Sequence, residues 1–99
     1  VEMSTYFLAT VGWANTGEWG SGLFNHMPKE DEVPAYWDKL NGRLASPNLN
    51  LFQVEADSSR VITKITQLEG GEGEVESCSY SHEQILEVGK EIPASIKIQ

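Results

Sequence analysis

The stretch Met3-Ser4-Thr5-Tyr6-Phe7-Leu8-Ala9-Thr10-Val11-Gly12-Trp13 decides the fold. Side chains of a strand alternate between its faces, so Phe7, Ala9, Val11 and Trp13 share one face while Tyr6, Leu8 and Thr10 share the other. Both faces are apolar or β-favouring, which predicts a strand placed centrally in a sheet. Ala14-Asn15-Thr16-Gly17 reads as a turn, because Asn and Gly adopt positive φ cheaply. Glu18 to Phe24 then returns as the second strand of a hairpin. Gly20 and Gly22 leave one face of that strand bare, the mark of a bulge, a bend or close backbone approach.

Working outward, Lys29 to Glu32 reads as a helix start, with Glu30, Asp31 and Glu32 suited to the positive end of the dipole and Pro34 tolerated in the first turn. Val33, Trp37, Leu40 and Leu44 recur at helical spacing, and Ser46-Pro47 ends the helix. Leu49–Ala56 is expected as a third strand, with Phe52, Val54 and Ala56 in phase, then a turn at Asp57-Ser58-Ser59 and a fourth strand over Arg60–Leu68. Glu69–Gly73 reads as a loop, and Val75–Tyr80 as a short strand. Ser81 followed by Gln84 has the form of a capping box opening a short helix to about Gly89, and Ala94–Ile98 reads as a terminal edge strand. The expected fold class is α+β: a single small domain, an antiparallel sheet with one main helix and a short second helix, in the order ββαββ(β)αβ.

Size and composition fit that reading. Ninety-nine residues, 39% hydrophobic and 22% charged, suit one domain able to bury roughly 60–68% of its unfolded surface. Val1-Glu2-Met3 reads as a tag remnant and start, leaving residues 4–99 as the domain. Cys78 is the lone cysteine, so an internal disulfide scaffold is excluded. Together with the lack of a signal-like segment and of an Asn-x-Ser/Thr acceptor, it points to the cytoplasm. No apolar run approaches the roughly 20 residues that span a bilayer, so no membrane role is expected.

The net charge of −8 is uneven. Residues 1–68 hold eight acids against five bases, whereas residues 69–91 hold seven glutamates (69, 72, 74, 76, 83, 87 and 91) against Lys90. Phosphate backbones are bound by clustered Lys and Arg, so direct nucleic-acid binding is disfavoured. An acidic block of this kind is either a solubilising face or a surface that steers toward a basic partner, including one whose groove normally holds nucleic acid.

Motifs of catalysis fare poorly. Gly17-Glu18-Trp19-Gly20-Ser21-Gly22 leads into a strand rather than a helix, and Glu18 would repel a phosphate. Cys78, Tyr80, His82 and Glu83 cluster in sequence, but their negative surroundings oppose a thiolate. One cysteine and two histidines are few for zinc, even adding Glu83 and His26. The glutamates of 69–76 lack the spacing of a calcium loop, and neither they nor Glu30–Glu32 have the buried cleft that acid–base work needs. No catalytic residue, metal ligand or cofactor is assigned. Trp13 and Trp37 fall in phase with core positions, while Trp19, beside glycines, can serve as an interface anchor.

The strand Tyr6–Val11, the hairpin Thr16-Gly17-x-x-Gly20, the helix, and Arg60-Val61-Ile62-Thr63-Lys64-Ile65-Thr66-Gln67-Leu68 together resemble small, uncharacterised phage and prophage accessory proteins over residues 4–68. The Leu49–Ala56 strand and the acidic region depart from that pattern. The resemblance implies a mobile-element accessory protein acting on a host protein, and it transfers no site residues.

The expected function is therefore a non-catalytic acidic binding protein, such as a mobile-element inhibitor (nucleic-acid mimic, anti-defence or immunity-type) of a basic host protein. Its expected contacts are Trp19, Glu69, Glu72, Glu74, Glu76, Glu83 and Glu87. The alternative is a structural or assembly protein that forms homo-oligomers through an edge strand.

Overall fold

A computed structural model describes residues 3–12, 19–28 and 48–99. Seven strands lie among these described residues: β1 (Met3–Gly12), β2 (Trp19–Phe24), β3 (Asn48–Asp57), β4 (Ile62–Glu69), β5 (Gly73–Val75), β6 (Ser77–Ser79) and β7 (Ile85–Glu87). The first five form an antiparallel sheet in the order β2-β1-β3-β4-β5, and β6 and β7 form a separate two-stranded ribbon. The long opening strand is paired along both edges, with β2 on one and β3 on the other. Leu8 on one face and Ala9 and Val11 on the other are all buried.

Register follows the hydrophobic pattern. Leu8 stands opposite Leu23 on β2 and Phe52 on β3, and Tyr6 opposite Val54, which in turn faces Ile65 on β4. These residues form one side of the core. Ile62 and Ile65, three apart, are both buried, which a regular strand does not allow. A register shift between Glu55 and Ala56 resolves this: Ala56 pairs with Ile62 and Glu55 with Lys64, so Thr63 is an extra residue on β4. The Thr63 hydroxyl donates to the Glu55 carbonyl at 3.1 Å. A second shift, at Leu68, turns that side chain to 37% exposure.

The core is completed by residues 76–99. Cys78 and Leu86, paired across the ribbon, join Ile92 and Ile96 in the same buried cluster as the sheet residues. Backbone bonds tie this cover to both flanks. Ile62 N donates to the Lys90 carbonyl and Gly89 N to the Ile62 carbonyl, while Gln99 N donates to the Leu23 carbonyl.

Several sequence expectations are overturned. Among the described residues the chain is β-structure with no helix, so the α+β assignment does not stand. The helix expected from Lys29 to Ser46, the turn Ala14–Gly17, Trp13 and Trp37 lie outside the described residues. The short helix from Ser81 is instead a turn leading into β7. The Ser81 hydroxyl does accept from Gln84 N at 3.0 Å, as a capping box would. However, the Gln84 carbonyl accepts from both Tyr80 N and Ser81 N, which folds the chain back on itself. The Gln84 side chain bonds Ser95 rather than the Ser81 backbone, so the reciprocal half of the box is missing. Val75–Tyr80 divides at Glu76 into β5 and β6. Ala94–Ile98 supplies a turn and one parallel bridge, Ile98 to Leu23, in place of a strand.

Candidate functional site

Where β4 changes partners, a notch opens. Its outer edge pairs with β5 through Ile65–Gln67, and with residues 89–92 through Ile62 and Arg60. Between them Thr63 and Lys64 border a cavity of about 640 Å³, lined also by Ile65, Glu74, Val75, Glu76, Ser77, Glu87 and Val88. Its far wall is the ribbon, anchored by Val88 N donating to the Glu76 carbonyl at 2.9 Å.

The notch gathers three glutamates, 74, 76 and 87, against Lys64. Lys64 Nζ lies 3.3 Å from Glu74 Oε1, and Lys90 Nζ lies 3.7 Å from Glu87 Oε2. Both pairs are exposed to water, so each is loose and readily exchanged. Among the described residues Glu76 has no cationic partner. The surface thus presents negative charge in a recess, with two side chains that could be handed to an incoming cation.

The other expected contacts lie elsewhere. Glu69 ends β4 opposite Leu51, and Glu72 lies in the turn before β5, which Gly70 and Gly73 form at φ 83° and 110°. Glu83 sits in the β6–β7 turn, three residues after Tyr80, whose carbonyl accepts from the Ser21 hydroxyl on β2. That turn therefore reaches the opposite side of the sheet. Trp19 opens β2 opposite Gly12, four strand spacings from β5, or roughly 19 Å at about 4.8 Å per strand. The seven expected residues consequently form no single patch: three share the notch, two mark one turn, and Glu83 and Trp19 stand toward the far edge.

Comparison with family models, with curated proteins and with solved structures finds no match to the chain.

Covalent chemistry finds no footing at Cys78. Its thiol is buried in the apolar core, and that burial pushes its pKa up to about 12, far from a reactive thiolate. Among the described residues no group of three or more His, Cys, Asp or Glu is placed to hold a metal ion. Among them, too, no helix is long and apolar enough to cross a membrane. Sequence reasoning missed Lys64 and Ser77 as notch residues. The notch arises from a change of strand partner, which leaves no local signal.

Proposed function

We propose that the protein is a non-catalytic binding module, active in the cytoplasm, that captures a basic segment of a protein partner in the notch between β4 and the ribbon. The carrying observation is the convergence of Glu74, Glu76 and Glu87 on one recess. An incoming Lys or Arg finds Glu76 without a cationic partner among the described residues, and can displace Lys64 from Glu74 at little cost because that pair is water-exposed. In its fuller form the proposal is inhibition of a basic host protein by a mobile-element product, supported by the net charge of −8 and the resemblance over residues 4–68. The contact set is narrower than the sequence suggested: Glu74, Glu76 and Glu87 belong to it, and Trp19 lies too distant to share the same recess.

Titration with a fluorescent Lys- and Arg-rich peptide tests this. Saturable binding is expected at low salt, weakening steeply as salt rises and weakening further in E74Q/E76Q/E87Q. Equal affinity for wild type and the triple variant, at any salt, would overturn it. A triple variant of Glu69, Glu72 and Glu83 to Gln removes the same charge elsewhere and separates the notch from bulk acidity.

A further inference from the structure

Among the described residues Lys64 is the one cation that lines the notch, and the strand pairing gives it two seats. The first is Glu74, whose Oε1 lies 3.3 Å from Lys64 Nζ. The fold thus already sets an alkylammonium group on a carboxylate that a partner's lysine would use. The second is Glu55 on β3, which stands directly opposite Lys64 in the β3–β4 ladder. Residues paired in this way project to one face with Cβ atoms about 4.5–5.5 Å apart, close enough for long side chains of opposite charge to meet. Glu55 is half-buried, does not line the notch, and has no cationic partner among the described residues.

The backbone keeps both seats in place. Thr63, the extra residue of β4, donates its hydroxyl to the Glu55 carbonyl at 3.1 Å, which ties the bulge to the Glu55–Lys64 pairing. On its outer edge β4 is held at Ile62 by the Lys90 carbonyl and at Ile65 by its pairing with Val75. The side chain of Lys64 is 49% exposed and that of Glu74 73%, so water screens their attraction. A screened pair on one side and a carboxylate across the ladder on the other leave the two seats close in energy.

We propose that Lys64 is a two-seat gate on the notch. On Glu74 it occupies the place of a partner's cation and competes with it; on Glu55 it leaves Glu74 open. A basic segment that enters shifts Lys64 from the first seat to the second, so its affinity is reduced by the fraction of molecules in which Glu74 is taken. Glu55 therefore favours binding without touching the partner, and Lys64 opposes it. The gate regulates the notch already described and rests on that reading of it.

The test titrates the whole protein with the fluorescent Lys- and Arg-rich peptide at low salt, in wild type, Lys64→Met, Glu55→Gln and the double variant. Lys64→Met should bind roughly two- to threefold tighter and Glu55→Gln roughly two- to threefold weaker, the shifts that two exposed ion pairs of ordinary strength give when they compete for one lysine. Without Lys64 there is nothing for Glu55 to receive. In the Lys64→Met background, Glu55→Gln should therefore cost no more than Glu69→Gln, which removes the same charge elsewhere. Lys97→Met serves in the same way for the lost cation, and should tighten binding less than Lys64→Met. Unchanged or weaker binding by Lys64→Met, or an equal loss from Glu55→Gln in both backgrounds, would overturn the gate and leave the notch standing. Absence of saturable binding in every form would overturn the notch, and the gate with it.

Discussion

The five-stranded sheet and the cover of residues 76–99 bury the same core by opposite means. β1 and β3 are ten-residue strands joined by a continuous register, and each side chain position follows from alternation. The cover is made of two three-residue strands, a few single bridges and turns, holding Cys78, Leu86, Ile92 and Ile96 in place as separate apolar plugs. Long ladders make a segment's structure readable from its own residues. Short ones leave it dependent on where the rest of the chain puts its plugs.

The sharpest way to break this comparison is Leu86→Ala, which removes a fully buried plug of the cover. A loss of about 2–5 kcal/mol is expected in urea denaturation, as a single transition reported alike by sheet and cover probes. Two separated transitions would show that the regions bury separate cores. Next in size is Gly22→Ala on β2, where an added Cβ would lie 2.8 and 2.9 Å from ring atoms of buried Phe24. The ring must shift, and about 1–3 kcal/mol of stability should be lost in the same assay.

Cys78 gives the comparison a pH handle. Its thiol titrates near 9.0 when unfolded and near 12 when folded, so above pH 9 the unfolded chain loses a proton that the native chain keeps. Stability should therefore fall as pH rises from 9 toward 12, by up to about 1.4 kcal/mol per unit. Cys78→Ala, compared with wild type across that range, should lack this part of the slope. The smallest effect is expected at Lys64→Ala. Its pair with Glu74 is exposed at both ends, so loss should stay below about 1 kcal/mol and shrink with salt.

The legibility of the sequence follows the same division. Strands β1 to β4 and the Asp57 turn stand where alternation and turn chemistry place them. The Ser81–Gly89 segment does not, because Ser-x-x-Gln serves a turn as well as a helix start. The decision fell to Leu86, whose alternation with exposed Ile85 suits a ribbon lying on the sheet. The phase change at Thr63 was equally hidden, since a bulge is fixed by the partner strand. For the site, the acidic block was plain in the charge count, but its division was not. Which glutamates meet depends on the switch of β4 from β5 to residues 89–92, a tertiary event.

Chemical-shift mapping of the basic peptide on the folded protein tests the central claim most directly. Saturable shifts should concentrate at Thr63–Ile65, Glu74–Ser77 and Glu87–Val88, the residues that line the notch. Shifts spread evenly over Glu69, Glu72, Glu83 and the notch would contradict it, and would leave the acidity as a solvated surface without a site.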